Sequence, residues 1–498
     1  MIEALLKEDP TLHQNLLEAR RVAEGESALV RETGRYPLCG RGDINTYSVF
    51  AEMGRSLMSP KGRMGMIVPS GIATDDTTKV FFGDLVDRQA LVSLFDFENR
   101  EGIFLGVHRS YRFCLLTLTG RQRPARAGAE FRFFAYRGED LADPERRFRL
   151  TPEDFALMNP NTRTCPIFRT RRDAELTRAI YRRVPVLIKE GPPEENPWGM
   201  SFMAMFHMSN DSGLFRGREN LEAEGFRLEG NRFRNGKETY LPLYEAKMVH
   251  HFDHRWATYD GDDTRDVTAA EKDDSGYSVL PRYWVAEAEV QTRLEDRWER
   301  GWMLGWRDIT NTTNERTVIA SVLPRVGVGN SYPLFLVSAA VAPTFQCMAA
   351  NMSAFVVDYV ARQKVGGLHL NYFYVTQLPM LPPSTYDLPS PWAPRQTLKD
   401  WILPRLLELV YTANDLEPFA RDCGYSGPPF RWDEERRFRL RCELDAAFFH
   451  LYGIGREDMD YIMETFPIVK RHDEKMWAEY RTKRVVGEMH DSLNRERA

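Results

Sequence analysis

Apolar residues recur at helical spacing in some stretches and run together in others, and the alternation outlines the chain. Residues 1–32 read as one or two polar helices, with Leu5, Leu12, Leu16 and Leu17 on a candidate apolar face. The loop GRYPLCGRGD (34–43) follows. Asp43 or Asn45 can cap the next helix, whose apolar positions Tyr47, Phe50, Ala51, Gly54 and Leu57 keep helical spacing. After the turn Pro60-Lys61-Gly62, MGMIVPSG (64–71) is a short apolar run ended by Pro and Gly, the pattern of a buried parallel strand. A helix is predicted over about 75–88, and strands over LVSLFDFEN (91–99) and YRFCLLTLTG (111–120). Helix, strand, helix, strand and hairpin-like strands describe half of an open α/β sheet.

The pattern then changes. Residues 121–195 are mixed, with a helix near 172–183 and a Pro-rich break at GPPEENP (191–197). Residues 196–390 carry aromatics, turn dipeptides and short strand-like pieces, with helical periodicity only near 285–300 and 345–364. PMLPPSTYDLPSPWAP (379–394) reads as a linker. Beyond it the chain is helical, with stripes at Leu398, Trp401, Ile402, Leu406 and Leu409, and at Leu440, Leu444, Phe448 and Leu451. Four regions result: 1–125, 126–195, 196–390 and 391–498.

Composition narrows the class. A chain of 498 residues is long enough for two to four domains, and 43% hydrophobic with 28% charged residues describes a soluble globular protein. No apolar run reaches the roughly 20 residues of a membrane span. The opening MIEALLKEDPTLHQ lacks the pattern of a secretory signal. Six scattered cysteines without a C-x-x-C pair argue against a zinc module or a disulfide framework and fit a reducing cytoplasm. The net charge of −5 does not announce a nucleic-acid partner; its distribution matters more than its sum, and an Arg-rich stretch is read either as a solvated surface or as a nucleic-acid contact. Between Arg100 and Arg183 stand 18 arginines, no lysine and 10 acids. Arginine suits bidentate contacts to phosphate or guanine edges.

Several short phrases carry little. GRGD (40–43) follows a polar helix rather than a strand, unlike a phosphate-binding turn. GVGN (327–330) reads as a turn or bulge. HHFDH (250–254) spaces His250 and His254 as a helical metal pair, without the glutamate that zinc hydrolases place beside the first histidine. Trp298, Trp302 and Trp306 read as core. No G-x-S-x-G, P-loop or P-D-x(n)-E-x-K signature is present.

Longer strings carry more. GRGDINTYSVFAEMGRSLMSPKGRMGMIVPSGIATDDTTKVFF (40–82) resembles the second half of the catalytic domain of large adenine-specific DNA methyltransferases, the type IIG restriction-modification enzymes and PglX-type phage-defence methylases. IFLGVHRSYRFCLLTLTG (103–120) resembles the late strands of that domain. PLYEAKMVHHFDHRWATYDG (242–261), GWRDITNTTNERTVIASVLPRVGVGN (305–330) and YVARQKVGGLHLNYFYVTQLPMLPP (359–383) resemble the target-recognition region, and 444–485 its helical tail. The resemblance implies the second half of a doubly wound methyltransferase sheet (1–125), an Arg-rich connector (126–195), a mixed α+β target-recognition region (196–390) and a helical C-terminal region (391–498).

The family binds S-adenosylmethionine on a Gly-rich turn and holds adenine with N-P-P-[YFW]. Neither is found here; ENPW (195–198) lacks the second Pro and lies far from the half-sheet. The resemblance therefore implies no catalytic or donor-binding residue in this chain, and S-adenosylmethionine only in the complete enzyme. Such enzymes flip the target base, and the missing segments orient its amino group and the donor. What remains is the far wall of the pocket and the DNA grip. The implied partners are double-stranded DNA and a separate chain with the N-terminal catalytic half; the alternatives are a non-catalytic specificity subunit or an inactive truncated product. Phe113 is the candidate base-packing aromatic, with an ordinary core phenylalanine as the alternative. Candidate DNA contacts are Arg109, Ser110 and Arg112, then Lys247, His254 and Arg255, then Arg362, Lys364, Asn371 and Tyr372, with an exposed polar surface that touches no DNA as the alternative for each.

Overall fold

The computed structural model describes residues 2–338 and 344–497. It divides into two compact units, Met1–Arg178 and Ala179–Ala498.

The first unit opens with helices α1 (Ile2–Glu8) and α2 (Pro10–Glu32), the latter capped by Asp9, whose side chain accepts from Leu12 N at 2.9 Å. Leu12, Leu16 and Leu17 on α2 are exposed. Helix α3 (Thr46–Leu57) buries Ala51 and Glu52. The Glu52 carboxylate accepts from the backbone N–H of Leu38 and Cys39, at 3.1 and 2.8 Å, and so ties the 34–43 loop to its own helix. Arg31 donates to the Gly42 carbonyl, which fixes the GRGD turn locally.

Five strands follow: β1 (Arg63–Pro69), β2 (Leu91–Glu98), β3 (Arg112–Thr119), β4 (Ala129–Ala135) and β5 (Phe148–Leu150). Their order is β1-β3-β2-β4-β5. β3 enters between β1 and β2 and is antiparallel to both, so those two share a direction; β4 runs parallel to β2. The expected 75–88 helix is a 3₁₀ turn (Asp76–Thr78) leading into α5 (Lys79–Asp87), preceded by a separate single turn α4 (Gly71–Thr74). Phe81, Phe82 and Leu85 of α5 are fully buried. Phe82 meets Phe155 of α6 (Pro152–Met158) edge-on at 5.7 Å, and Phe155 meets Phe131 of β4 at 5.9 Å.

Two expectations change. β1 is neither parallel to its neighbour nor buried. It is an edge strand on which Met64 and Met66 are half-covered, Val68 is buried and Ile67 is 58% exposed. A continuous apolar run does not distinguish a central strand from an edge whose outer face is merely uncovered. The sheet also does not stop near 125: β4 and β5 come from the Arg-rich segment, and α7 (Arg171–Arg183) spans the boundary between the units.

The second unit holds two main sheets. One joins β7 (Arg227–Glu229), β8 (Arg232–Arg234), β9 (Thr239–Tyr244) and β12 (Trp284–Ala286), with β15 (Gly327–Val328) parallel to β9. GVGN thus contributes a short strand rather than a turn. The other joins β6 (Ser201–Met203), β13 (Trp302–Trp306), β14 (Ala320–Pro324) and β16 (Leu334–Leu336). β10 (Ala257–Asp260) and β11 (Asp263–Asp266) form a hairpin. Trp298, Trp302 and Trp306 are all buried. Trp302 and Trp306 stand on one face of β13, since four is an even step along a strand. Their indole N–H groups reach Asp422 Oδ2 (2.7 Å) and the Leu370 carbonyl (2.9 Å). Trp198 of ENPW is core, donating to the Leu381 carbonyl.

Part of the expected Pro-rich linker is a hairpin of β17 (Pro389–Ser390) and β18 (Ala393–Thr397); helices then run from Leu398 to Arg497. Among the described residues no helix is long and apolar enough to cross a membrane. In the helix Glu434–Leu451, buried Asp445 accepts from Phe355 N at 2.8 Å, and burial pushes its carboxyl up to about 6. A carboxyl raised in the fold stabilises most below its ordinary range near 4, and that contribution is lost as pH climbs through 6. Asp445→Asn is therefore expected to be more stable than the parent above pH 6, by about 3 kcal/mol at most, and to flatten the pH dependence between 4 and 6. Urea titrations at pH 5 and 7 check the sign.

Candidate nucleic-acid interface

Because β1 and β2 run together and β3 runs against them, Pro69, Glu98 and Arg112 meet at one edge of the sheet. In open α/β sheets ligands bind beyond the carboxyl ends of co-directional strands. Here that edge is organised by Asp96, which has no exposed surface. One carboxylate oxygen accepts from Ser70 Oγ at 2.5 Å; the other accepts from Arg112 Nη2 at 2.6 Å and from Phe134 N at 3.0 Å. One side chain thereby joins the ends of β1, β2, β3 and β4. Arg112 also lies over the Phe134 ring at 4.6 Å. The expectation that Arg112 contacts phosphate is corrected: its charge is already paired with a buried carboxylate.

The segment 99–111, between β2 and β3, is built around a second buried side chain. Asn99 Nδ2 donates to the carbonyls of Phe104 (2.9 Å) and Val107 (2.8 Å), and Asn99 Oδ1 accepts from Phe104 N (2.9 Å). Asn99 N donates to the Tyr111 carbonyl, closing the loop at its base. Gly102 takes a left-handed φ of 74°, and Arg109 donates across the loop to the Arg100 carbonyl at 2.8 Å. A loop fixed this way presents its remaining side chains outward. Leu105 is 92% exposed, Tyr111 65% and Ile103 50%. Arg100, His108, Arg109 and Ser110 flank them, with His108 Nδ1 and Ser110 Oγ 2.8 Å apart. Phe113 lies beneath: half-buried, stacked on Phe97 at 5.4 Å and met edge-on by Phe104 at 4.9 Å. It props the loop, and Tyr111 is the loop's freely exposed aromatic. Sequence reasoning passed over Ile103, Leu105, Val107 and Tyr111. The available signal was an apolar phrase, IFL (103–105), with glycine on both sides and lacking the period of a strand or helix.

In the second unit the predicted residues separate by burial. Arg255 has no exposed surface, and donates to the carbonyls of Lys272, Asp274, Tyr277 and Thr412. His254 is 2% exposed, with Nε2 2.9 Å from Asp415 Oδ1. Arg362 pairs with Asp358, donates to the carbonyls of Asn314, Glu315 and Thr465, and lies 4.1 Å from the Phe466 ring centre. Lys364 is 3% exposed over the Tyr181 ring, and burial pushes its ammonium well below the usual lysine range. These four do not reach a DNA surface without unfolding; the corrected role is structural. Lys247 is exposed above Tyr259. Asn371 is exposed, and Tyr372, 37% exposed, stands edge-on to Trp306. Around these two lie exposed Ile309, Leu368 and His369, where residues 308–310 bridge to 368–370.

HHFDH is a backbone turn, His250 to Asp253, rather than a helix. His250 packs on Trp256, and Asp253 pairs with Lys272 at 2.7 Å. Among the described residues no group of three or more His, Cys, Asp or Glu is placed to hold a metal ion.

No family model matches the chain, and no curated protein does. Among solved structures, it is similar to the type IIG restriction endonuclease BpuSI at 12% identity and a TM-score of 0.29, over 96% of this chain and 52% of that one. It is also similar to the type IIL restriction-modification enzyme MmeI in complex with DNA, at 10% identity and a TM-score of 0.41, over 85% of this chain and 52% of that one. The chain thus spans about half the length of both. Likenesses this loose leave the functional reading to the site itself.

Proposed function

We propose that this chain grips double-stranded DNA as the recognition and late-catalytic part of a site-specific adenine methyltransferase serving restriction-modification or phage defence. The observation that carries the reading is the 99–111 loop, a pre-formed apolar tip at the carboxyl edge of the sheet, beside exposed Arg100, which lies 3.6 Å from Glu98, and exposed Arg109. Proteins that open a base step insert apolar side chains into it and hold the neighbouring phosphates with arginine. Enzymes that modify a base inside a duplex must extrude it, at a few kcal/mol. Leu105 and Ile103 are the wedge, Tyr111 offers a face to an unstacked base, and Arg100 and Arg109 meet the backbone. In the second unit Asn371 has the amide that pairs bidentately with an adenine edge, and Lys247 a phosphate contact. The adenine reading rests on the resemblance of the long strings to that family, one of which, 103–120, contains this loop.

The residues at this edge do not fit S-adenosylmethionine. Asp96, the acid buried among the strand ends, has both oxygens occupied, and Gly71 beyond β1 is covered by the Asp75 carboxylate and the Tyr47 hydroxyl. No step of methyl transfer is therefore assigned to this chain. The donor and the amine-orienting loop belong to a further segment that pairs along the free edge of β1, whether in the same polypeptide or a separate one. The saturated Asp96 equally favours a non-catalytic DNA-binding specificity subunit.

The test is Ile103→Ser with Leu105→Ser, which leaves Asn99 and its hydrogen bonds intact. Fluorescence anisotropy is expected to show roughly tenfold weaker binding to duplex DNA, about 1.4 kcal/mol. It should also show a smaller preference for mismatched over matched duplex. Unchanged affinity for both would remove the wedge from the account.

A further inference from the structure

At the opposite edge of the same sheet lies a concavity of about 500 Å³. Its floor is Val92, Ser93 and Phe95 of β2, and its walls are arginines. Arg63 opens β1, Arg123 and Arg126 stand in the turn between β3 and β4, and Arg147 and Arg149 belong to the β5 arm. Their proximity follows from the register: β5 lies against the start of β4, with Arg149 opposite Glu130, and β1 begins where β3 ends, with Arg63 opposite Thr119. β2 is eight residues long, so this edge is about 23 Å from the 99–111 loop at strand rise.

The charge is almost unopposed. Glu130 is the one acid in the lining, and it is taken by Arg147 at 2.7 Å. Arg147 also lies over the Phe95 ring at 5.8 Å. Arg149 makes a single long contact, 3.4 Å to the Gly128 carbonyl. Arg63, Arg123 and Arg126 are exposed, and among the described residues none of their side chains has a hydrogen bond or ion pair. Like charges held this close repel one another, and an anion removes the repulsion. Several arginines and one neutralised acid suit a ligand carrying repeated anionic groups rather than a single one. Arginine, unlike lysine, matches phosphate oxygens in pairs. A hollow with an aromatic floor takes a chain laid into it, whereas a membrane surface requires basic groups that protrude.

We propose that this arginine-lined hollow is a second phosphate-binding surface, gripping the DNA backbone at the edge of the sheet remote from the apolar loop. It rests on the reading of the chain as a DNA-binding protein and adds a site that reads no sequence. Two contacts about 23 Å apart engage phosphates separated by a large part of a helical turn, or DNA bent round the sheet.

The experiment measures duplex DNA affinity against salt for the full chain, for Arg63→Ser/Arg123→Ser/Arg126→Ser, and for the loop variant Ile103→Ser/Leu105→Ser. Each phosphate contact contributes a slope of about −0.9 in log affinity against log salt. The triple variant is expected to lose about two to three units of slope and at least tenfold in affinity, with an unchanged circular dichroism spectrum. The loop variant should bind more weakly at unchanged slope. A triple variant that keeps parental slope and affinity overturns the proposal; if the loop variant still weakens binding, the DNA reading survives it. A parent chain that retains no duplex at roughly 20 mM salt overturns both. Arginine-dependent sedimentation with phosphatidylserine vesicles, alongside an unaltered DNA slope, assigns the patch to a membrane and overturns it too.

Discussion

Arg255→Ala is expected to lower the free energy of unfolding by about 3–5 kcal/mol while leaving the DNA affinity of the folded fraction unchanged. The guanidinium has no exposed surface and uses both terminal nitrogens. Nη1 donates to Asp274 O at 2.9 Å and Tyr277 O at 3.2 Å; Nη2 donates to Lys272 O at 2.7 Å, Thr412 O at 3.0 Å and Thr412 Oγ1 at 3.2 Å. It stitches the 272–277 segment to the end of the helix Leu398–Val410. Truncation leaves the carbonyls of Lys272, Tyr277 and Thr412 without this donor, while Asp274 O keeps its bond from Tyr277 N, and it removes the positive charge near Asp415, whose carboxyl is held below the usual range, against burial, by His254 and then by Arg255. Arg255→Lys recovers little, because one ammonium does not span the carbonyls that a planar fork reaches. Urea denaturation of the three proteins is the measurement. A variant as stable as the parent, yet defective in DNA binding, would restore Arg255 to the interface.

The second large effect is at the sheet edge. Asp96→Ala is expected to cost about 3–4 kcal/mol, because it leaves the three-quarters-buried Arg112 guanidinium without its counter-charge and Ser70 Oγ and Phe134 N without their acceptor. Asp96→Asn keeps the shape and one acceptor oxygen, and should lose about half as much. In hydrogen exchange, the alanine variant should lose protection at both ends of the 99–111 loop, since Asp96 and Arg112 flank it. DNA affinity should fall with that protection. Stability lost without any change in exchange at the loop would separate the two buried hubs, Asp96 and Asn99.

How much of this was legible in the chain depends on what each signal measures. β2 and β3 were readable because LVSLFDFE and RFCLLTLT are short apolar runs rich in β-branched and aromatic residues and bounded by polar turns, and in β3 burial alternates from Cys114 to Leu118. Helix α3 was readable from the polar residue ahead of it and the spacing of its apolar positions. β1 was misread because a run of apolar residues reports hydrophobicity, not the number of covered faces. The larger error concerned cations. Lysine and arginine beside aromatics resemble a DNA-reading surface, but Arg255, Arg362 and Lys364 are drawn inside, where carbonyls, carboxylates and rings satisfy them. Residue type does not tell these cases apart; register and topology do. The arginine excess at 100–183 splits the same way: Arg112 and Arg132 are covered, while Arg123, Arg126 and Arg149 face solvent together. The apolar loop was missed because exposed hydrophobic residues in an ordered loop look, along the chain, like buried ones.

The central claim is that the 99–111 loop meets DNA, and a photoreactive amino acid answers it most directly. Benzoylphenylalanine in place of Leu105, the loop's most exposed apolar side chain, is compared with the same residue in place of Met476, which is 69% exposed in the C-terminal helices. Irradiation with duplex DNA at low salt is predicted to give a strong covalent adduct from position 105 and little from 476. DNA retained by the protein but joined equally at both positions, or at neither, contradicts the account.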